Sequence, residues 1–367
     1  MNTYQTIGLM FAGLGVISLL SLIYEGMKSK SLYLDFMPIT SILMWITRIS
    51  VGVLFIYSGF VKANDYIGFA YKLEEYFLVF GEHFPFSKGF WDFFVPLAEP
   101  LAWFISVFEI ALAFAIIVGW RMNLTMWLTM LMMVFFTVLT AYSHVTGAVT
   151  DCGCFGDALK LEPWESFMKD IILTGALIPL FLVRNSVHPS PNARIAGIVV
   201  AVSFIASGIF SYYCHENLPY IDYRAYKVGV DLNKCTTEFT EEGVIKCKDW
   251  YPYFEGEEVK LFEGNTLMVV IYDLNKAPEK ALQKSGELHR SLQNEVKVVG
   301  STASSSSEWE SYSSNLQLGY PISYLDQTVL KTIIRSHPGY VLMKDGVILG
   351  KWHYNNTPSA EENRALL

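Results

Sequence analysis

Six apolar stretches, each near the ~20 residues that cross a bilayer, occupy the chain up to Tyr212 and leave the remainder polar. They run over Thr6–Tyr24, Ile39–Val61, Phe93–Gly119, Leu124–Val145, Phe167–Val183 and Ile195–Tyr212. Hydrocarbon offers the backbone no hydrogen-bond partner, so such stretches are restricted to helices. The sequence therefore predicts an α-helical polytopic membrane bundle followed by a separate polar domain. Composition agrees: 52% of the 367 residues are hydrophobic and only 17% charged, against about 25% charged in soluble domains. The first stretch lacks a basic segment before it and a prompt small-x-small cleavage site after it, so it is read as a retained helix rather than a signal peptide.

Basic residues in the connections set the expected orientation. Lys28 and Lys30, Arg121, and Arg184 with Arg194 fall on one side when six spans alternate, and that side should be cytoplasmic. The N-terminus, the connection Lys62–Asp92, the segment around residue 153 and everything after Tyr212 then lie in the periplasm, with the bundle in the inner membrane. All five cysteines, Cys152, Cys154, Cys214, Cys235 and Cys247, fall on that oxidising face. The formal charge of −8 excludes nucleic acid as a partner, because phosphate binding needs a basic face. Lipid is the partner the composition demands.

Asp151-Cys152-Gly153-Cys154-Phe155-Gly156-Asp157 lies between two spans. Two thiols one glycine apart close a very small ring when joined, and strain makes such a bond oxidising toward other thiols. Cys152 and Cys154 are the candidate catalytic pair. A structural pair in an ordered loop and a metal site remain the other readings, although His144, Asp151 and Asp157 do not make up a four-ligand zinc set. Cys235 and Cys247 flank a short polar segment and read as a structural disulfide or as a shuttle pair. A thiol pair of this kind expects a periplasmic thiol protein, or a membrane-protein complex, as partner, and a quinone as one acceptor of its electrons.

Charges inside spans need partners, since an isolated one costs at least ~2.5 kcal/mol. Arg48 and Glu109 lie at similar distances from the same end of their spans. They are expected within about 4 Å as a register-fixing ion pair; the functional alternative is a proton or quinone site with Glu109 as proton carrier. Glu99, at the outer end of its span with Tyr57, Ser58, Lys62, Asp65 and Asp170, is the second candidate proton carrier or an interfacial cap.

Beyond Tyr212 the pattern changes to strands and helices. Thr266–Tyr272 reads as a buried strand, Pro278–Leu292 as a helix, Val296–Val299 as a strand, Ser301–Ser307 as a loop and Gln327–Arg335 as a short helix. Tyr340–Lys344 and Val347–Trp352 flank Asp345-Gly346, a type I′ hairpin signal.

Two segments resemble the DoxX/MauE family of membrane proteins: Arg48 with Ser58-Gly59-Phe60-Val61-Lys62-Ala63-Asn64-Asp65 through Tyr76, and Asp151–Leu161 with Pro163-Trp164 and Lys169-Asp170. The resemblance implies a DoxX-like four-helix core, here with two extra spans, linked to thiol or sulfur redox chemistry. MauE-type members are associated with disulfide formation in a periplasmic enzyme subunit, and DoxX-type members with sulfur oxidation coupled to quinone. The polar domain resembles an α/β thioredoxin-like fold, in which Pro338 takes the place of that fold's cis-proline. Its redox Cys-x-x-Cys is missing, because the segment Leu274–Pro278 holds no cysteine. The expected organisation is residues 1–36 as first helix and linker, 37–190 as the DoxX/MauE-like membrane domain, 191–255 as sixth span and connector, and 256–367 as the thioredoxin-like periplasmic domain. The rival function is a non-catalytic scaffold whose last domain binds an envelope partner.

Overall fold

A computed structural model describes residues 3–28, 38–149, 153, 155–159, 161–233, 263–292 and 295–367. The chain divides into two compact units, Met1–Tyr212 and Tyr213–Leu367.

The first unit is built from helices α1 (Thr3–Lys28), α2 (Pro38–Asn64), α3 (Tyr66–His83), α4 (Lys88–Phe94), α5 (Ala98–Val118), α6 (Met122–Thr146) and α7 (Pro163–Leu182), with α8 (Ala193–Asn217) leaving it. Four of the described helices are long and apolar enough to cross a membrane: α2, the run Pro85–Val118 that contains α5, α6 and α8. Helix α1 supplies the shorter apolar run Gly8–Tyr24. Helix α7 is not among the four; Glu165, Lys169 and Asp170 crowd its first turns and lower its hydropathy. Four of the six spans expected from sequence thus meet that measure of length and composition among the described residues.

Small residues bring the helices together, as van der Waals packing in lipid requires. Helix α2 packs on α5 and α7 packs on both α6 and α1. A Cβ added at Gly52 would lie 2.4 Å from Ile117, and one at Gly59 would lie 2.6 Å from Ile110 and 3.2 Å from the Ser106 carbonyl. Gly59→Ala is therefore expected to destabilise the bundle by about 1–3 kcal/mol, the usual cost of overpacking. A thermal melt of the purified protein checks this; an unchanged midpoint would contradict the seam.

The connection Lys62–Asp92, expected as an outer loop, folds into helices instead. Asp65 caps α3 by accepting a hydrogen bond from Gly68 N at 3.0 Å. Phe69, Ala70, Leu73, Tyr76, Phe77 and Phe80 recur at helical spacing and are all buried. That face packs mainly on α5, and Tyr76 shares a 2.6 Å hydrogen bond with Ser143 of α6.

The second unit is a five-stranded sheet. In chain order it comprises β1 (Asn265–Ile271), α9 (Glu279–Leu292), β2 (Lys297–Thr302), α10 (Ser306–Leu316), β3 (Ile322–Tyr324), α11 (Gln327–Ile333), β4 (Gly339–Lys344), β5 (Val347–His353) and α12 (Ala360–Leu366). The strand order is β3-β2-β1-β4-β5. The first three are mutually parallel, while β4 runs antiparallel to β1 and β5 antiparallel to β4. Alternation along β1 divides the core: Met268 and Val270 join Leu330 and Ile333 of α11 on one face, and Leu267, Val269 and Ile271 join Leu282, Leu288 and Trp309 on the other. Asp345 and Gly346 both have positive φ and close the hairpin between β4 and β5. The serine-rich stretch is not one loop. Ser301 and Thr302 end β2, and Ser305 opens α10 through a capping box with Glu308.

Candidate functional site

The α2–α5 seam fixes what the buried charges meet. Gly52 faces Ala113 and Ile117, and Gly59 faces Ser106 and Ile110. This register puts Arg48 opposite the end of α5 and Glu109 one turn from Ser58. The expected Arg48–Glu109 pair is therefore absent. Arg48 instead caps α5: its Nε donates to the Ile116 carbonyl at 3.0 Å and its Nη2 to the Ile117 carbonyl at 2.7 Å. Equal depth counted from the helix ends misled, because α2 and α5 do not end level. Gly119, with φ of +72°, leaves room there for the guanidinium.

Glu109 pairs with Lys62. The Lys62 ammonium donates to Glu109 Oε2 and to Ser58 Oγ, both at 2.7 Å. The two charged side chains are only 1% and 5% exposed, so each neutralises a charge that would otherwise be stranded. Ser58 and Lys62 are one turn apart on α2 and so present to the same neighbour. Phe136 and Phe69 stand 5.1 and 5.9 Å from the ammonium.

A second pair lies on α7. Lys169 Nζ is 2.8 Å from Asp170 Oδ1, and Thr140 of α6 donates to Asp170 Oδ2 at 3.0 Å. Both pairs line one small pocket with Ser58, Phe55, Phe136 and Phe155. Phe155, from the segment joining α6 to α7, lies under the Lys169 ammonium at 5.0 Å. Gly153, two residues earlier, is buried with φ of +66°, and a Cβ there would meet Lys72 Cγ of α3 at 3.1 Å. The glycine is required twice over, by conformation and by close approach. Gly153 therefore rests on α3, and Phe155 contributes a wall to the pocket.

Of the residues expected at the outer mouth, Lys62 and Asp170 line the pocket. Asp65 caps α3 instead, and Glu99 accepts a hydrogen bond from the Tyr66 hydroxyl at 3.4 Å. Cys152, Cys154, Cys235 and Cys247 lie outside the described residues. Lys169, Thr140 and Phe155 were not foreseen as site residues. Their signal was a Lys-Asp dipeptide at the head of an apolar helix, where a charge has to find a partner.

In the second unit the His337–Pro338 peptide is cis. The His337 ring stacks on Tyr272 with centroids 4.9 Å apart, and its Nδ1 accepts from Tyr272 N at 2.9 Å. Beside it, Leu274 N donates to Ser304 Oγ at 2.9 Å. Burial pushes His337 down to about 4, and burial does the same to His353. Both are held neutral in the fold and gain protons more readily when unfolded, so their contribution is complete above the ordinary histidine value of ~6.5 and is lost as pH falls toward 4. The hydrogen-exchange protection of β4 and β5 in the full chain, taken relative to the intrinsic rate at each pH, is expected to fall between pH 6.5 and 4, and His337→Asn to flatten that dependence. Equal protection across the window would contradict this.

Comparison with known families covers the same helices. Residues 40–183 match the family model described as Methylamine utilisation protein MauE. This segment is similar to MauE membrane proteins. No curated protein and no solved structure matches the chain. The match runs from α2 to the end of α7, so every pocket-lining residue lies inside it. Helices α1 and α8 and the whole second unit fall outside the match.

Proposed function

We propose that the MauE-like domain is an inner-membrane thiol–disulfide redox unit whose working pair is Cys152 and Cys154. The observation that carries this reading is the wall formed by Phe155: the segment holding the two thiols in sequence borders a buried pocket with two carboxylates and two ammonium groups. A dithiol partner attacks the Cys152–Cys154 disulfide, one sulfur leaving as thiolate while a mixed disulfide forms. The partner's second thiol resolves that bond, and the partner departs oxidised with Cys152 and Cys154 both reduced. Re-oxidation passes two electrons and two protons to a quinone-class acceptor in the lipid, with Glu109 and Glu99 as the candidate carboxylates for the protons.

The reading includes six spans, with α1 and α7 completing the bundle. Arg121, Arg184 and Arg194 are then cytoplasmic, and the second unit is periplasmic. Fusions of a reporter after Arg121 and Arg194 should read as cytoplasmic, and fusions after Asp157 and Leu367 as periplasmic. The reading takes the second unit as thioredoxin-like, and the segment after β1 lacks cysteine. That absence favours a second reading for this unit, a non-catalytic scaffold that binds an envelope partner.

Thiol trapping in intact cells tests the redox reading. Cys152 and Cys154 should be recovered in both oxidised and reduced forms, and Cys154→Ser should accumulate a mixed disulfide with a periplasmic protein. A pair that stays in one state under both oxidising and reducing growth would sink it.

A further inference from the structure

We infer that the turn and helix preceding α5 form an aromatic anchor seated in the lipid interface. Helix α5 has 21 residues, about 31 Å at ~1.5 Å per residue, which already matches the ~30 Å hydrocarbon core. The apolar run containing it is 34 residues long, Pro85–Val118. The extra residues cannot share the hydrocarbon depth that α5 fills. Pro96 lies in the single 3-10 turn, Val95–Leu97, between α4 and α5 and marks a break between them. The segment before that break sits level with the headgroups.

Its side chains are divided to suit that depth. Trp91 and Phe94 turn inward onto α3, with Trp91 4.8 Å from Phe80 and Phe94 5.7 Å from Phe77. Trp91 Nε1 also donates to Ser87 Oγ at 3.0 Å, fixing the turn to the helix. Phe86, Phe90 and Phe93 recur at helical spacing on the other side and are 90%, 57% and 63% exposed. Three large rings in water, one on the turn before α4 and two on α4, would be an unusual apolar patch. Lys88 and Asp92 lie between them, as an interfacial helix requires. Continuity with the apolar surface of α5 selects the occupant: phospholipid at the boundary between headgroup and acyl chain, where aromatic rings concentrate.

The test uses the full chain in its native membrane with a photoreactive side chain, Phe90→p-benzoylphenylalanine, and separately Phe86 and Phe93 replaced in the same way. Irradiation followed by intact-mass measurement should show adducts heavier by one phospholipid at all three positions. Trp91→p-benzoylphenylalanine should instead cross-link within the chain to α3. Adducts to a second copy or to another protein at Phe90 would overturn the inference, and so would the recovery of unmodified chain without any lipid adduct. Brominated lipids in nanodiscs give a second readout. With the other eight tryptophans replaced by phenylalanine, those brominated near the headgroup should lower emission by Trp91 more than those brominated at the chain end, and the reverse order would also overturn it.

Discussion

Glu109→Gln is expected to destabilise the membrane domain by about 3–5 kcal/mol, the usual cost of stranding one member of a buried ion pair. Lys62 would keep its hydrogen bond to Ser58 but lose the charge that balances it. Its ammonium cannot reach water, because the side chain is 1% exposed. The double variant Lys62→Met with Glu109→Leu should recover most of the loss, since two apolar side chains leave no orphan charge. Thermal unfolding of the three proteins in one detergent checks the ordering. Additive losses in the double variant would mean that the pair does not act as a unit. A redox role adds a separate signature: the double variant should fold and yet slow re-oxidation of the thiol pair.

Arg48→Met carries the second large effect. The guanidinium satisfies the Ile116 and Ile117 carbonyls at the end of α5; Ile116 keeps a hydrogen bond from Gly119 N at 3.3 Å, but the Ile117 carbonyl loses its Arg48 donor, and a buried carbonyl left unmatched costs about 1–3 kcal/mol. Loss of both Arg48 bonds is expected to fray the last turn of α5. Faster hydrogen exchange confined to residues after Phe114 would report it. Arg48→Lys should recover only part, because a single ammonium does not reproduce the planar fork of donors. Uniform loosening of all helices would show that Arg48 acts by some route other than capping.

Hydrophobic runs made most of the membrane helices legible, because bilayer thickness imposes a length that composition can be counted against. Helix α3 was hidden for the opposite reason. Its buried face is aromatic and its exposed face carries Lys72, Glu74 and Glu75, so its mean hydropathy resembles a loop while its periodicity does not. The Asp345-Gly346 hairpin was readable because the turn demands those residues. The edge strand Ile322–Tyr324 was not, since three residues are too few to show alternation. At the pocket, sequence identified Glu109, Lys62 and Asp170 as charges in need of company but not which charge meets which. Pairing depends on helix register, and register is set by Gly52 and Gly59, which carry no charge at all.

The seam between α2 and α5 has a mechanical consequence. Sliding one helix past the other by a single residue, ~1.5 Å, would pull Arg48 from its two carbonyls, part Lys62 from Glu109 and drive Ile110 and Ile117 off the glycines that make room for them. Three unrelated interactions would fail together, so the two helices behave as one stiff post. Across the pocket, the opposite wall hangs on the Thr140–Asp170 hydrogen bond and on Phe155 beneath Lys169. The post is therefore the stiffer of the two walls.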